Sequence, residues 1–402
     1  MATENKKYIP ALRFPEFQND KEWKTDAMET IFDIKNGYTP SKSNPSFWDN
    51  GTIPWFRMED IRKNGHILSD SIQHVTPAAV KNAGLFPAYS IIVATTATIG
   101  EHALIIVDSL ANQQFTFLTK RKSFDNKLDM TYFHYFMFII DEWCKRNTNA
   151  GGLLSVNMDS FKKLTIPYPS SLSEQKKIAD CFVSIDKEID ATKRKLELLK
   201  EHKKGLMQRL FPAKGKTTPE HRFPEFQNDG EWIPRPLSDI LNYEQPTPYI
   251  VEDDTYKKEG TPVLTANKGF ILGYTDESFG IYSKLPVIIF DDFTTDKKYV
   301  DFSFKIKSSA MKLLTLKDEE RDNLRFIFEC MSNIVFEEKE HKRYYISEYQ
   351  HINIYVPSSL QEQNQIADTL LSVDKQISEY DKKIKALELH KKGLMQQLFP
   401  KL

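Results

Sequence analysis

The amino-acid sequence predicts two mixed α/β (α+β) domains joined by two long helices, which pair as an antiparallel coiled coil with pseudo-twofold symmetry. Two observations lead to this fold class: two blocks of sequence each occur twice, and the second block begins a helix with an apolar heptad pattern. We expect the first domain over residues 1–169, the central helix over 170–212, the second domain over 213–357 and the C-terminal helix over 358–402.

The repeat consists of similar frames around dissimilar inserts. Residues 13–20 recur letter for letter at 222–229, an offset of 209, whereas the block at 171–180 matches 359–368 at an offset of 188. The second copy is therefore 21 residues shorter between its opening and closing blocks. Drift after a gene duplication would not spare the frames alone, so we expect one shared task for the frames and separate tasks for the inserts.

Each closing block starts a helix whose apolar residues are alternately four and three positions apart, which is typical of a coiled-coil seam. The predicted seam residues are Ile178, Phe182, Ile185, Ile189, Leu196 and Leu199 in the first helix and Ile366, Leu370, Val373, Ile377, Ile384 and Leu387 in the second. The link at 212–221 is too short to return along the first helix, so the two helices should run antiparallel; a coiled coil between two chains is the structural alternative. Lys203 and Lys391 each interrupt the seam, either where it opens toward a partner helix or where they extend to solvent at the end of the paired helices.

The inserts alternate short strands with helices, as expected for mixed α/β domains. Apolar, β-branched runs predict strands at residues 90–94 and 103–107, on either side of a Thr/Gly-rich turn, and at 285–290. A continuous apolar face predicts a helix at 130–145, and a second helix is expected at 318–336.

Composition and charge limit the kind of protein this can be. The 27 Phe, 17 Tyr and 5 Trp among 402 residues are enough for sizeable cores, which excludes wholesale disorder. The longest apolar runs are too short for a bilayer, which needs about 20 residues, and the N-terminus lacks the apolar core of a signal peptide. We therefore expect a cytoplasmic protein without a membrane partner. The net charge of −1 excludes a polybasic DNA coat but not local basic patches.

Motifs for catalysis, cofactors and metals are absent from the sequence. There is no G-x-G-x-x-G, no Asp-Pro-Pro-Tyr or Asn-Pro-Pro-Tyr, and no His pair at metal-ligand spacing. Residues 215–217 resemble the end of a P-loop, but Leu210 stands where glycine is required. The three cysteines are too widely spaced for a disulfide framework or a CxxC pair. The sequence thus predicts no catalytic residue, no metal site and no cofactor in this chain.

Polar and basic stretches in both inserts are candidates for nucleic-acid contact, because short hydrogen-bonding side chains and cations suit phosphate oxygens and base edges. In the first insert the candidates are Tyr38, Thr39, Ser41, Lys42, Arg57 and Lys63. In the second insert they are Asn267, Lys268, Lys297, Lys298, Lys342, Arg343 and Tyr344. Arg343 is the most DNA-like of these candidates, because an arginine can pair bidentately with guanine. A solvated loop explains each stretch taken alone, whereas recurrence in both inserts favours a function.

Five motifs together point to a known family. They are Arg-Phe-Pro-Glu-Phe…Glu-Trp at the opening of each copy, Gly-Tyr-Thr-Pro-Ser at 37–41 followed by Gly-Thr-Ile-Pro-Trp at 51–55, Ala-Asn-Gln-Gln at 111–114, Ile-Pro-Tyr-Pro or Ile-Tyr-Val-Pro before the Glu-Gln-x-x-Ile-Ala-Asp helices, and the Lys-Lys-Gly-Leu-Met-Gln-x-Leu-Phe-Pro endings. In combination they resemble the specificity (S) subunit of a type I restriction-modification enzyme over essentially the whole chain. Many relatives place an arginine before Ala-x-Ile-Gly where this chain has Thr96, so the resemblance adds Thr96 and Thr98 to the candidates. The second insert resembles a different subclass.

The resemblance implies two target-recognition domains, each reading one half of a bipartite site in double-stranded DNA, with the paired helices as a ruler for the unread gap. It also implies an adaptor without an active site, which assembles with two modification (methyltransferase) subunits and two restriction/translocase subunits. S-adenosylmethionine, ATP and Mg²⁺ are then expected on those partner subunits. A stand-alone bipartite DNA-binding scaffold or regulator and a self-sufficient modification enzyme are the rival functions.

Overall fold

The structure, a computed structural model, describes residues 8–82, 84–149, 154–266, 269–337 and 342–402. The chain divides into two compact units: unit 1 comprises residues 1–192 and 383–402, and unit 2 comprises residues 193–382. Each unit therefore contains one globular domain and a part of each long helix.

Unit 1 contains three β-sheets. Its strands are β1 (Lys24–Ala27), β2 (Phe32–Asn36), β3 (Ile53–Phe56), β4 (Ile67–Leu68), β5 (His74–Val75), β6 (Ser90–Ala94), β7 (His102–Ile105), β8 (Leu110–Ala111), β9 (Phe115–Lys120) and β10 (Thr165–Tyr168). Five form one sheet in the order β2-β9-β6-β7-β4, three form a second in the order β5-β3-β8, and β1 pairs with β10. The helices are α1 (Met28–Ile31), α2 (Met58–Asn64), α3 (Met130–Arg146), α4 (Met158–Lys162) and the first part of α5 (Leu172–Leu210).

The central strand β6 separates two apolar cores, because alternate side chains of a strand point to opposite faces of its sheet. Ile91 and Val93 pack in one core with helix α3, whereas Ile92 and Ala94 pack in the other with Phe56 of the second sheet. All residues of β6 are buried, since both faces of the sheet are covered. Burial on both faces explains why the sequence of this strand is an uninterrupted apolar run. The strand lies at the predicted residues.

Unit 2 repeats this arrangement with a different sequence. Its strands are β11 (Ile233–Pro236), β12 (Leu241–Glu244), β13 (Thr261–Leu264), β14 (Ile271–Thr275), β15 (Val287–Asp291), β16 (Lys297–Val300), β17 (Lys305–Ile306), β18 (Met311–Leu316) and β19 (Asn353–Val356), and its helices are α6 (Leu237–Ile240), α7 (Leu324–Ser332) and most of α8 (Leu360–Leu398). The order β12-β18-β15-β16 corresponds to β2-β9-β6-β7, β14-β13-β17 corresponds to β5-β3-β8, and β11-β19 corresponds to β1-β10. Strand β4 has no counterpart in the described part of unit 2. Two inserts that barely resemble each other in sequence therefore share a strand order.

The helix predicted at 318–336 is shorter in the structure and begins only at Leu324. The Asn323 side chain accepts a hydrogen bond of 2.9 Å from the Phe326 amide and so caps α7 at this point. Asp318 accepts instead from the Glu320 amide at 3.0 Å, which stabilises a turn before the helix. The other predicted helix, at 130–145, matches α3 closely.

Helices α5 and α8 each span 39 residues, and none of the helices in the described ranges is apolar over a length that would cross a bilayer. In unit 1 the start of α5 shares a core with the end of α8, and in unit 2 the end of α5 shares a core with the start of α8, so the helices run antiparallel in both. Of the predicted seam residues, Ile185, Ile377 and Leu387 are half-buried and the other nine are buried. At its ends the seam also packs on the domains, as where Phe182 lies 5.1 Å from the Tyr135 ring of α3. The predicted fold class, mixed α/β domains with two long antiparallel helices, is confirmed.

Both seam lysines are ion-paired within their units. The Nζ of Lys203 lies 2.8 Å from Asp374 and 3.5 Å from the buried Glu329, and the Nζ of Lys391 lies 2.6 Å from Asp186. The two aspartates occupy equivalent positions of the repeat, so each helix supplies the lysine in one unit and the aspartate in the other. Neither alternative expected for these lysines, an open seam or a side chain extending to solvent, describes them.

The repeated frames make the same buried contacts in both units. In unit 1 the Arg13 guanidinium donates two hydrogen bonds of 2.7 Å to the buried Glu174 at the start of α5, and the Trp23 indole donates a third of 3.3 Å. The counterparts in unit 2, with bonds of 2.7, 2.7 and 3.4 Å, are Arg222, Glu362 and Trp232. Because a buried carboxylate is costly unless it is fully paired, the opening motif and the closing motif must occur together.

The glutamine beside this carboxylate ties two backbone segments to the helix through three hydrogen bonds. The Gln175 amide nitrogen donates to the carbonyls of Lys127 and Pro169, and its oxygen accepts from the Asp129 amide, each at 2.8 Å. Gln363 makes the equivalent set of bonds in unit 2. The frames thus attach each domain to its long helix.

In each unit the residue just before the opening motif also contacts the end of a long helix. The Leu12 amide donates to the Gln397 carbonyl at 2.9 Å, and the His221 amide donates to the Arg209 carbonyl at 2.9 Å. His221 follows Leu12 by the first repeat offset of 209 residues, and Gln397 follows Arg209 by the second offset of 188. These two hydrogen bonds are therefore one contact made twice.

Candidate nucleic-acid interface

The first candidates of unit 1 lie in the loop between β2 and β3. Only glycine fits at Gly37, because a Cβ there would lie 2.4 Å from the carbonyl oxygens of Ala111 and Asn112. Tyr38 follows it and is half-buried; its hydroxyl donates to the Ala79 carbonyl at 3.2 Å and accepts from the Lys81 amide at 3.1 Å. Tyr38 therefore holds the loop in place.

The rest of this loop is more open. Thr39 is hydrogen-bonded to Gln113 and is half-buried, whereas Ser41 and Lys42 are exposed. The Trp48 indole donates to the Ser41 carbonyl at 3.0 Å, which fixes the backbone and leaves the side chains to solvent. Ser41 and Lys42 are thus the members of this group that an approaching ligand would meet.

Arg57 and Lys63 lie at the two ends of helix α2. The Arg57 guanidinium lies 5.9 Å from the Trp55 ring and 2.9 Å from Glu59, and Lys63 is exposed. The Trp55 indole also donates to the Tyr38 carbonyl at 3.0 Å. Trp55 thus brings the loop candidates and Arg57 together.

Thr96 and Thr98 lie in the turn between β6 and β7 and are half-buried. Ala97 between them has φ of 62°, in the left-handed region that L-residues with side chains rarely adopt. Thr96 pairs with Ser155, and the Ala97 amide donates to the Leu154 carbonyl at 3.4 Å. This turn therefore lies against the segment that follows α3.

The corresponding turn of unit 2, at 292–296, lies against the segment that follows α7. The Tyr344 amide donates to the Asp292 carbonyl and the Tyr345 amide donates to the Asp292 side chain, each at 2.8 Å. Arg343 is exposed, and its guanidinium lies 5.8 Å from the Phe293 ring. Both units thus join the same turn to the same following segment.

The neighbours of Arg343 differ in exposure. Lys342 is exposed, with its Nζ 2.8 Å from Glu348. Tyr344 is only 1% exposed, and its ring packs 5.1 Å from that of Phe336. Because its side chain is buried, Tyr344 cannot reach a base or a phosphate, and the predicted contact is corrected to a core position.

The remaining candidates of unit 2 are placed only in part. Lys297 and Lys298 lie on β16 and are half-buried. The Lys297 Nζ lies 5.6 Å from the Tyr349 ring, and burial lowers the pKa of this lysine. Asn267 and Lys268 lie outside the described residues. Lys297 thus contacts the segment that carries Arg343, whereas Arg343 itself lies over Phe293 of the turn.

Sequence reasoning missed three residues that line these segments. Lys81 lies 4.3 Å above the Tyr38 ring, Gln113 bonds to Thr39, and Phe293 lies beneath Arg343. Gln113 belongs to the Ala-Asn-Gln-Gln motif and was within reach of the sequence. Phe293 was not, because only the fold brings it to the segment after α7.

Three histidines cluster in unit 1, and two of them, His102 and His134, are buried in its core. The rings of His66, His102 and His134 are 5.4–6.4 Å apart and pack around Phe138. Burial lowers the pKa of His102 to about 3 and holds the pKa of His134 well below its ordinary value. Within the described ranges no group of three His, Cys, Asp or Glu side chains could hold a metal ion.

Comparison with known families bears on the first of the two domains. Residues 20–201 match the family model described as "Type I restriction modification DNA specificity domain". This stretch is similar to the type I DNA specificity domain. The predicted resemblance to type I specificity subunits is confirmed.

Individual relatives of this chain are also type I specificity subunits. The type I restriction enzyme EcoprrI specificity subunit of Escherichia coli is 49% identical over 152 residues, which are 38% of this chain and 38% of that protein. The EcoR124I/EcoR124II specificity subunit, also of Escherichia coli, is 51% identical over 132 residues, 32% of each chain. The chain thus spans well under half the length of the relatives it matches.

A solved structure extends the likeness in fold beyond the specificity domain. The S subunit of a type I restriction-modification system from M. genitalium has a TM-score of 0.69 at 15% identity and covers 98% of this chain and 99% of its own. Within this chain, the domain of unit 2 shares its strand order and its helix attachment with the domain of unit 1.

Proposed function

We propose that this chain is the DNA-recognising subunit of a type I restriction-modification complex, and that each globular domain reads one half of a bipartite site in double-stranded DNA. One observation carries the proposal: both domains join the same turn to the same following segment, yet the side chains offered there differ. Unit 1 offers Thr96 and Thr98, whereas unit 2 offers Lys342 and Arg343. Because base edges are distinguished by the donors and acceptors they meet, domains of one architecture with different side chains would read different sequences.

The exposed cations divide into two proposed tasks. Lys42 and Lys63 are compact, flexible charges suited to phosphate oxygens, which position a protein on DNA without reading it. Arg343, with a planar guanidinium held near Phe293, is suited to bidentate pairing with guanine. Lys297 and Lys298, which are half-buried, would act on phosphates at the edge of the same surface.

We further propose that catalysis belongs to partner subunits. The frames present the same attachments twice, which suits two copies of one modification subunit that binds S-adenosylmethionine and methylates DNA. Two restriction/translocase subunits that use ATP and Mg²⁺ would complete the complex. The two long helices would then set the unread gap between the half-sites.

The test exchanges one domain. Residues 243–356 are replaced by the corresponding insert of another specificity subunit, and the methylated sequence is determined across a host genome. We expect one half of the methylated motif to change while the other half, read in the same molecules, stays as the internal control. A swap that altered both halves would contradict separate reading by two domains.

Co-purification separates the proposal from its rivals. A specificity subunit should purify in fixed stoichiometry with a co-expressed methyltransferase subunit and should transfer no methyl group alone. Sequence-specific DNA binding without any such partner would instead favour a stand-alone scaffold or regulator. Methyl transfer by the purified chain would favour a self-sufficient enzyme.

A further inference from the structure

A polar cluster lies beneath the turn after β6 in unit 1 and beneath the turn after β15 in unit 2. Two of the three members are buried in each cluster, whereas the third, Asn36 or Gln245, is exposed. In unit 1 the Thr116 hydroxyl of β9 donates to the Asn36 side chain at 2.9 Å and lies 3.0 Å from the Thr95 hydroxyl. Thr95 is the first residue of the turn after β6, and Asn36 ends β2. All three members of this cluster are neutral.

In unit 2 the cluster is charged. The Nζ of Lys312 on β18 donates to the Gln245 side chain at 3.0 Å and lies 3.3 Å from Asp292, the first residue of the turn after β15. The side chains of Lys312 and Asp292 are 1% and 2% exposed. An ion pair so deeply buried loses its hydration and is retained only with both partners in place.

The two clusters occupy the same places in the strand register. Thr116 lies opposite Val93 of β6, and Lys312 lies opposite Phe290 of β15. In each unit the turn residue of the cluster follows two positions after that partner. The third member of each cluster lies beside the residue of the long strand. Asn36 pairs with Thr116 across β2 and β9. Gln245 directly follows the end of β12, next to Lys312 of β18.

Each cluster also reaches the segment that follows the domain helix. The Thr95 carbonyl accepts from the Val156 amide at 2.9 Å, and the Asp292 carbonyl accepts from the Tyr344 amide at 2.8 Å. In unit 2 the side chain joins as well, because the Asp292 carboxylate accepts from the Tyr345 amide at 2.8 Å.

The Asp292 carboxylate therefore connects a buried lysine to the segment that carries Arg343. Lys312 pairs with this carboxylate and orients it. A charge-assisted hydrogen bond to an amide is stronger than a bond between neutral groups. Unit 1 forms the same strand order with neutral residues at these positions, so the strand order does not require the charges. What the charges add is a firmer placement of the segment.

We propose that Asp292, Lys312 and Gln245 are positioning residues that fix the Arg343 segment against its turn and thereby set recognition of the second half-site. This inference rests on the proposed function, in which Arg343 contacts a base. A planar guanidinium reads a base edge only when its backbone is held closely, because recognition geometry tolerates errors of about 0.5 Å.

The test exchanges the charged cluster for the neutral one. The triple variant Gln245→Asn, Asp292→Thr, Lys312→Thr is made in the full chain, assembled with its modification subunits, beside the single variant Lys312→Met. We expect the triple variant to fold and to keep recognition of the first half-site, while methylation of the cognate site falls about ten-fold or more and discrimination at the second half-site relaxes. Hydrogen exchange of the amides at 342–349 should rise about ten-fold.

The matched control is Lys317→Met, an exposed lysine directly after the same strand whose Nζ donates to the Ser238 carbonyl at 2.6 Å. It should leave exchange and discrimination unchanged. A folded triple variant with wild-type exchange and discrimination would overturn the inference. So would a triple variant that fails to fold, since the cluster would then be needed for the fold itself. If the wild-type complex showed no sequence-dependent methylation, the proposed function would fail, while the exchange measurement would still decide whether the cluster positions the segment.

Discussion

The globular domains of units 1 and 2 have the same strand order but bury different polar groups. Besides the frame carboxylate Glu174 and Asp60, unit 1 buries the imidazoles of His102 and His134. Unit 2 encloses ion pairs, among them Lys312 with Asp292 and the Arg235 guanidinium with a buried aspartate at 2.6 Å. The difference teaches that apolar alternation and the repeated frames specify the strand order, which leaves the buried polar groups and the turns above them free to diverge.

Removing the frame carboxylates should have the largest effect, and it should be equal in the two units. Glu174→Ala and Glu362→Ala each leave a partly buried arginine and a buried tryptophan without their acceptor, so each should cost about 3–5 kcal/mol of unfolding free energy in its own unit. Denaturant unfolding with hydrogen exchange resolved by unit measures this. Glu16→Ala, which removes an exposed pair with Lys177, is the control and should leave the unfolding free energy nearly unchanged. A large loss in one unit alone would break the equivalence of the frames.

Acid should destabilise unit 1 before unit 2. The pKa of His102 is about 3 in the folded domain, against an ordinary value of 6.5. Below pH 6.5 this histidine is therefore protonated in the unfolded chain but not in the folded domain. The free energy of unfolding then decreases as the pH falls from 6.5 to about 3. The Lys305 ammonium lowers the pKa of Glu277, so the matching loss in unit 2 begins only as pH falls below the ordinary carboxyl value of 4.5.

At pH 5.5 we therefore expect unit 1 to lose about 2–3 kcal/mol through its two buried histidines, with unit 2 unchanged by this cause. Hydrogen exchange at pH 7 and 5.5, corrected for the intrinsic rate, measures both units in one sample. Replacing both histidines by glutamine should remove the difference. An equal loss in the two units would contradict the assignment.

The smallest effect concerns the surfaces. Lys342→Ala with Arg343→Ala should cost about 1–3 kcal/mol of discrimination at the second half-site and leave the first unchanged. Ser41→Ala with Lys42→Ala is the mirror-image control and should weaken only the first. Methylation of site libraries by the assembled complex reports both. If either pair altered both half-sites, the two domains would not read DNA separately.

Apolar pattern was sufficient for a strand that is buried on both faces and for a helix with one continuous apolar face. The strand at 90–94 was predicted at its observed residues, and the helix at 130–145 was nearly so. The pattern over-extended the helix at 318–336, because the cap by Asn323 is a side-chain hydrogen bond rather than a hydropathy signal. The apolar pattern also did not indicate that the two domains share a strand order. Lys312 is buried inside β18, but from the sequence a lysine is expected to face solvent.

The candidate contacts were predictable by composition and not by exposure. Basic residues at 342 and 343 are exposed as expected, but Tyr344 beside them turns inward, because its amide bonds to Asp292 and its ring packs on Phe336. No local pattern announces this, since the partners lie far away in sequence. Tyr38 likewise acts on its own loop through the Ala79 carbonyl.

The contact between Leu12 and Gln397, matched by that between His221 and Arg209, has a consequence for the order of synthesis. Residues 210–220 join the second pair covalently, and a peptide of that length would join the first pair in the same way. In a circular permutant, the new termini would lie within 212–221 and a linker would connect residue 397 to residue 12. The domain of unit 2 would then be synthesised first, and the sequence would still specify every frame contact. The order in which the ribosome delivers the two domains is therefore independent of the architecture they build.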